Sequence, residues 1–317
     1  MTVLFTISNI TEQQENHLQE RFSDQSFVFL KDREKINEYI KNAEVLVTYG
    51  SDVTEELIEK ANHLKWIQVL SAGVDRLPFE AIAKKDILVT NARGIHKIPM
   101  SEYAISMLLH VYRKERKVVE NQAAVNWDRS YSVGEISGKT MVVLGTGSIG
   151  QEVARLAKAF HMRTIGVSRS GDPAQHFDET YKVEHLLSVL DKGDFIISIL
   201  PSTKDTTYLL TDKHFDVMKD DAVFLNMGRG DLVKTETLLK AIQEEKIKHA
   251  ILDVFEEEPL PEDSPLWKED KVTITPHLSG VSARYLERAL GIFKQNMHYY
   301  INGEEELDNQ INIERGY

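Results

Sequence analysis

Between Asn226 and Gly280 the chain carries one arginine, one glutamate and one histidine, each in its own short setting: Asn226-Met-Gly-Arg229-Gly, Asp253-Val-Phe-Glu-Glu-Glu258-Pro and Pro276-His277-Leu-Ser-Gly. A guanidinium can hold a carboxylate in a planar fork. A histidine can pass a proton near neutral pH, and a glutamate beside it orients it and favours its charged form. When hydride reaches the carbonyl carbon of a 2-oxo acid, negative charge grows on the oxygen. An imidazolium must then deliver a proton while a guanidinium stabilises the charge. The trio meets those needs and lacks only a source of hydride.

A candidate for that source lies upstream. The buried-strand pattern Thr140 to Leu144 runs straight into Gly145-Thr146-Gly147-Ser148-Ile149-Gly150, and Gln151 to Phe160 continues as a helix. In a dinucleotide site such glycines permit the tight turn, close approach of the pyrophosphate and close helix-strand packing, while helix N–H groups receive phosphate. An acidic residue about 20 positions further on would bind the ribose 2'-hydroxyl of NAD, whereas an arginine accommodates the 2'-phosphate of NADP. This chain has Ser168-Arg169-Ser170 at the end of the second strand. Two hydroxyls beside a guanidinium suit a phosphate, so NADP(H) is the expected cofactor and NAD(H) the alternative.

The composition narrows the classes of function. A formal net charge of -12 repels polyphosphate backbones and argues against nucleic-acid binding. The absence of cysteine removes thiolate metal sites, disulfides and cysteine nucleophiles. None of the histidines other than His277 falls into a metal-ligand pattern, so no metal is expected in the chemistry. His96, close after Arg93-Gly94, is the nearest rival to His277 but has no comparable partner motif. The opening residues read as a strand rather than a secretory signal. No apolar run approaches membrane-spanning length, and the cytoplasm is the expected location.

These residues require a scaffold. Short β-branched runs at Val3 to Ile7, Phe27 to Leu30, Glu44 to Tyr49, Trp66 to Leu70 and Ile87 to Thr90 alternate with helical segments such as Glu12 to Phe22 and Glu55 to Asn62. Such alternation implies a mostly parallel sheet covered on both faces. After a long amphipathic segment, Met100 to Val119, and an irregular stretch, Asn121 to Ser137, a second series follows. Its strands are expected at Thr140 to Leu144, Thr164 to Val167, Phe195 to Leu200, Ala222 to Asn226, His249 to Val254 and Val272 to Thr275. Pro99 suits the first turn of a helix entering this second domain. A final helix, about Ser282 to Tyr300, returns the chain, and the tail from Ile301 packs on the first domain, with Glu304 to Glu306 a solvated charge run.

The ordered set of glycine loop, Asn226-Met-Gly-Arg-Gly, Asp253-Val-Phe-Glu-Glu-Glu-Pro and Pro276-His-Leu-Ser-Gly resembles the D-isomer-specific 2-hydroxyacid dehydrogenases. Leu200-Pro-Ser-Thr-Lys-Asp-Thr206 is similar to that family's Leu-Pro-x-Thr-x-x-Thr stretch, and Ser71-Ala-Gly-Val-Asp75 to its substrate loop. The resemblance implies an α/β fold of two doubly wound parallel-sheet domains. These are a flavodoxin-like substrate domain, residues 1–98 and 288–317, and a Rossmann dinucleotide-binding domain, residues 99–287. It implies that Arg229 clamps the substrate, His277 exchanges the proton and Glu258 supports His277. Backbone N–H groups around Ala72 and Gly73 would bind the substrate carboxylate. Asp253 would approach the nicotinamide carboxamide, and Met227, Gly228 and Arg229 would line the cofactor together with Leu200, Pro201, Thr206, His277 and Ser279. Trp127 is expected as a buried anchor, its alternative being to reach an active site, across a dimer included.

The expected activity is hydride transfer between NADPH and a small 2-oxo acid, most like the family's glyoxylate or hydroxypyruvate reductases, in a homodimer. The rival within the class is an NAD-linked dehydrogenase for lactate-like or phosphoglycerate-like substrates. Formate dehydrogenase fits less well, because its pattern pairs the histidine with glutamine where this chain has Glu258. Outside the class stands a nicotinamide-sensing regulatory protein.

Overall fold

The structure is a computed structural model that describes residues 1–313 apart from Asp75 and Glu305, and the backbone alone of Arg33. Asp75 of the loop motif, Glu305 of the acidic run and the last four residues of the tail lie outside the described residues. Contacts divide the chain into two compact units, Met1–Ile95 with Ser282–Tyr317, and His96–Val281.

In the first unit the strands are β1 (Thr2–Phe5), β2 (Ser26–Phe29), β3 (Val45–Thr48), β4 (Trp66–Val69) and β5 (Leu88–Thr90). Every pairing is parallel and the order is β2-β1-β3-β4-β5, the flavodoxin-like order. Alternate residues explain why the sheet must be covered twice. Val3, Phe5, Val45, Val47 and Trp66 belong to one apolar cluster, and Leu4, Leu46, Ile67, Val69 and Val89 to another. Because side chains point to opposite faces at every step, a run that is apolar throughout buries both. The returning helix Tyr285–Ile301 contributes Ala289, Leu290, Phe293 and Met297 to the first cluster. The tail closes the sheet edge, where Ile311 N–H donates to the Val89 carbonyl at 2.8 Å.

The second unit holds β6 (Thr140–Leu144), β7 (Arg163–Ser168), β8 (Glu179–Lys182), β9 (Phe195–Ser198), β10 (Val223–Asn226), β11 (His249–Leu252) and β12 (Val272–Ile274). Their order, β12-β11-β10-β9-β6-β7-β8, is doubly wound with all strands parallel. It reverses between β6 and β9, the topological switch point at which such sheets bind ligands beyond their carboxyl ends.

Two local features differ from expectation. The amphipathic segment Met100 to Val119 is not one helix: Lys97–Tyr112 ends, Lys114 takes a left-handed conformation at φ 53°, and a second helix, Glu115–Ala123, follows. Trp127 is 91% exposed, so it is no buried anchor. It follows Val125, which is 95% exposed, in a segment of the second unit that contributes no residue to the apolar clusters.

Candidate active site

The second unit places the residues expected to do acid-base chemistry at the carboxyl ends of three neighbouring strands. Asn226 is the last residue of β10, Asp253 follows β11 directly, and His277 lies three residues beyond β12. Asn226 shapes the first loop. Its side chain donates to the Arg229 carbonyl at 2.9 Å and accepts from the Gly228 N–H at 3.2 Å. A side chain at Gly228 would place a Cβ 2.5 Å from the Leu200 carbonyl oxygen, so the loop after β9 and this one are packed backbone to backbone. Arg229 is exposed, with one guanidinium nitrogen donating to the Gly228 carbonyl at 2.8 Å.

His277 meets Glu258 at 2.7 Å through Nδ1. The other carboxylate oxygen of Glu258 accepts from the Phe255 N–H at 3.0 Å, which fixes the carboxylate to its own loop. With Nδ1 bound to the carboxylate, Nε2 is the nitrogen left to exchange a proton. The His277 backbone is left-handed, φ 50°, a conformation that costs a residue with a Cβ about 1–2 kcal/mol. Asp253 holds it there. The Asp253 carbonyl accepts the His277 N–H at 2.9 Å, and its carboxylate accepts the N–H groups of Leu278 and Ser279, each at 2.9 Å, and the Thr275 hydroxyl at 2.5 Å. Tyr103 completes the chain with a 2.7 Å contact to Thr275. Burial raises the Tyr103 hydroxyl well above its ordinary range, and the Asp253 carboxylate adds to the rise while the Thr275 hydrogen bond opposes it.

Asp253 is fully buried, and its visible task is to build the turn that presents His277. The sequence pattern offered no signal for that role, because the partners are 22 to 26 residues away. His96, set aside for want of a motif, also has a place here. Its Nδ1 lies 3.2 Å from the Gly280 carbonyl. Burial, and secondarily the charge of Arg229, push it below its ordinary value, while the Gly280 bond opposes the fall.

The expected cofactor residues occupy the ends of β6, β7 and β9. Gly145 has φ +112°, and a Cβ on Gly150 would sit 1.9 Å from the Gly145 carbonyl oxygen, so both must be glycine for the helix to start where it does. A Cβ on Gly147 would meet nothing within 4 Å. Gly147 caps the twelve-residue helix Ser148–Ala159 with no side-chain hydrogen bond, which leaves first-turn N–H groups and the positive end of the helix dipole open beside that space. The geometry fits a pyrophosphate. Thr146, Ser148 and Ile149 complete the loop. Ser168 Oγ accepts from the Gly171 N–H at 3.0 Å and Ser170 Oγ from the Asp172 N–H at 3.3 Å, while Arg169 is exposed and forms no ion pair among the described residues. Pro201 and Thr206 are joined: the Thr206 hydroxyl donates to the Pro201 carbonyl at 2.6 Å, so it closes the loop after β9.

The family model for the NAD-binding domain of D-isomer specific 2-hydroxyacid dehydrogenases matches residues 105–279, more than half of the chain. The chain belongs to this family. It is 36% identical over 291 residues to a D-3-phosphoglycerate dehydrogenase of Methanocaldococcus jannaschii, covering 89% of this chain and 54% of that protein. It therefore spans about half the length of that relative. It is 32% identical to a glyoxylate reductase of Pyrococcus furiosus over 86% of this chain and 83% of the relative. Among solved structures, an NADPH-dependent glyoxylate/hydroxypyruvate reductase from Sinorhizobium meliloti, in complex with NADP and sulfate, superposes with a TM-score of 0.79 at 25% identity, covering 100% and 99% of the two chains. Membership makes the chain an oxidoreductase of the nicotinamide-dependent class. Among the described residues no helix is long and apolar enough to cross a membrane.

The first unit carries the expected carboxylate loop after β4. Asn91, 4% exposed, donates through Nδ2 to the Ala72 carbonyl at 2.6 Å, and Ser71 Oγ donates to the Gly73 carbonyl at 2.8 Å. With the carbonyls engaged this way, the N–H groups of Ala72, Gly73 and Val74 donate to no acceptor among the described residues. Asn91 ties this loop to the end of β5, a contact that sequence reading missed.

Proposed function

We propose that this chain reduces a small 2-oxo acid of the glyoxylate or hydroxypyruvate type with NADPH, giving the D-2-hydroxy acid where the product is chiral. The observation that carries the proposal is the 2.7 Å contact between His277 and Glu258, on a turn built by Asp253 after β12, with β11 between it and β10, the strand that leads into the loop of Arg229. Gly145 to Gly150 would hold the pyrophosphate of NADPH, and the loops of Leu200 and Met227 to Arg229 would line its nicotinamide end, which when bound would supply hydride for the substrate's second carbon. The imidazolium of His277 gives its Nε2 proton to the carbonyl oxygen, and Glu258 stabilises the cation until that proton leaves. Arg229 stabilises the charge that grows on the oxygen. In the first unit, taken by itself, the N–H groups of Ala72 and Gly73 are suited to an anion such as a carboxylate. One 2-oxo acid, one NADPH and one proton thus yield one hydroxy acid and NADP.

NADPH preference is supported by Ser168, Arg169 and Ser170, a guanidinium and two hydroxyls with no carboxylate among them. The resemblance to the Methanocaldococcus enzyme supports a second reading, an NAD-linked phosphoglycerate-type dehydrogenase. A homodimer is supported by Val118, Val119, Val125 and Trp127, all exposed, and by the Asn121 amide nitrogen on the same segment, which is buried without a partner among the described residues. Steady-state assays of the purified chain with glyoxylate, hydroxypyruvate, pyruvate and bulkier 2-oxo acids, each with both nicotinamides, test the activity. Efficient NADPH oxidation with the small substrates is expected; turnover confined to NADH and bulky substrates would overturn it.

A further inference from the structure

In the loop after β4 four consecutive carbonyl oxygens have partners. Ser71 accepts from the Ala92 N–H at 3.0 Å, Ala72 from the Asn91 side chain at 2.6 Å, Gly73 from the Ser71 hydroxyl at 2.8 Å and Val74 from the Leu77 N–H at 3.0 Å. In a planar trans peptide the carbonyl and the next N–H point in opposite directions, so holding the first three carbonyls aims the N–H groups of Ala72, Gly73 and Val74 outward. Two of these holds, on Ser71 and Ala72, come from one short turn directly after β5. Whatever fixes that turn therefore fixes the anion loop.

The turn is fixed by a segment far along the chain. The Asn91 N–H donates to the Asn309 carbonyl at 3.2 Å, the Asn309 side chain donates to the Arg93 carbonyl at 2.9 Å, and the Arg93 N–H closes the turn onto Asn91 Oδ1 at 3.0 Å. Asn309 is left-handed, φ 59°, a conformation that asparagine tolerates better than most residues with a Cβ. Apolar residues on either side of it anchor the segment. Leu307 joins the cluster of Val3 and Phe5, and Ile311 that of Leu4 and Leu46, so both faces of the sheet are gripped at the β5 edge. Between them the fully buried Asn296 side chain reads the Asp308 backbone twice, accepting its N–H at 2.7 Å and donating to its carbonyl at 3.0 Å. The same amide donates to Gln68 of β4 at 3.1 Å, which ties the segment to the strand that leads into the anion loop. Apolar packing and backbone pairing are enough to cover a sheet edge. The side-chain amides add a single register, because any slip would leave buried polar groups unpaired.

We propose that residues 307–311 form a strap that sets the anion loop, with Asn309 as a positioning residue that acts through Asn91. The strap rests on the reading of that loop as the site of the substrate's carboxylate, and it supplies the device that keeps the N–H groups ready. A loop aimed in advance binds its anion without an ordering cost at the moment of binding. Loosening the strap should therefore raise KM for the 2-oxo acid and leave kcat, which depends on groups of the second unit, near the parental value.

The test uses the full chain and the variants Asn309→Gly, Asn91→Ala and the two combined. Glycine keeps the left-handed backbone and removes only the side-chain donor. With saturating NADPH, Asn309→Gly should raise KM for glyoxylate by about 3- to 10-fold, the scale of one neutral hydrogen bond, with kcat and NADPH affinity unchanged. Asn91→Ala should raise KM further, and the double variant should match Asn91→Ala alone, because the strap acts through that residue. A merely structural role gives a lower melting temperature with a parental KM in the folded fraction. That result, or additive effects in the double variant, would overturn the strap. Calorimetric titration with oxamate in the presence of NADPH supplies a readout without turnover, and Asn309→Gly should weaken oxamate by a similar factor. Parental oxamate binding by Asn309→Gly would overturn the strap. Absence of turnover with every 2-oxo acid, with the weakened oxamate binding intact, would instead overturn the reductase function alone.

Discussion

The two halves of the seven-stranded sheet present their carboxyl ends in different ways. At β10, β11 and β12 nearly every group is tied: Asn226 braces the Arg229 loop, Asp253 receives three donors through its carboxylate, and Glu258 is fixed by its own loop before it meets His277. At β6 and β7 the glycine turn is fixed by close packing, but the Arg169 side chain stands exposed. Proton transfer tolerates little misplacement, and preorganised hydrogen bonds supply the required accuracy. A cofactor's phosphate can recruit a long flexible cation when it arrives. Substitutions in the tied half should therefore damage chemistry, and those in the open half should redirect cofactor choice.

The largest effect is expected at Arg229. Lysine retains the charge and loses the fork, so Arg229→Lys should lower kcat/KM by on the order of 10²- to 10³-fold, the scale of a lost charge-stabilising donor. Cofactor affinity, measured by NADPH fluorescence titration, should persist. Near-parental turnover would remove the arginine from the reaction.

Glu258→Gln keeps a hydrogen-bonding side chain beside Nδ1 and removes its charge. The negative partner that orients Nδ1 is lost, so proton transfer through Nε2 should slow in both directions, with maximal rates lower by roughly 10-fold or more. Parental rates in both directions, with chemistry shown to limit the rate, would mean that the 2.7 Å contact has only a packing role.

In the open half, Arg169→Ala should weaken NADPH by about 1.5–3 kcal/mol, a charged hydrogen bond to the 2'-phosphate, and spare NADH. Ser168→Asp should shift preference toward NADH. Equal catalytic efficiencies of the parent with both cofactors would contradict the role of this turn.

A smaller effect is expected at the opposite end of β11, away from the chemistry. Burial, and secondarily nearby His110, Lys248 and Arg116, hold His249 down to about 4, and its Nε2 lies 2.8 Å from the Thr273 hydroxyl. Between pH 6.5 and about 4 the unfolded chain binds a proton that folded His249 refuses, so stability is full above that window and falls as the pH drops through it. His249→Gln should make the loss of unfolding free energy between pH 7 and pH 5 shallower by up to about 2 kcal/mol in denaturant titrations, with activity retained. An identical slope in the variant would show that the histidine titrates freely.

The same contrast explains what could be read from the sequence. Strands buried on both faces, such as Val45-Leu-Val and Phe195-Ile-Ile, announce themselves by apolar runs. β8, Glu179-Thr-Tyr-Lys, escaped notice because an edge strand is polar and half exposed. The break at Lys114 was hidden because Arg113-Lys-Glu-Arg-Lys117 are all ordinary helix formers, with no glycine or proline to mark the left-handed residue. The joins between units also shift a little: contacts change at 95/96 and 281/282, where the residues suggested 98/99 and 287/288. Arg229, Glu258 and His277 were legible because each sits in a compact local motif. The bracing by Asp253, Asn91 and Tyr103 was not, since it joins residues far apart in the chain. Trp127 misled because an apolar side chain does not disclose whether its own fold covers it.

The most direct test of the proposed chemistry follows the hydride itself. The purified chain is incubated with [4,4-²H₂]NADPH and pyruvate, and the product is examined by mass spectrometry and chiral chromatography, with His277→Ala alongside. Hydride transfer onto the second carbon, with the proton supplied through His277, predicts D-lactate carrying one deuterium at that carbon and a severe loss of product in the variant. Product without deuterium, the L isomer, or undiminished turnover by His277→Ala would contradict it.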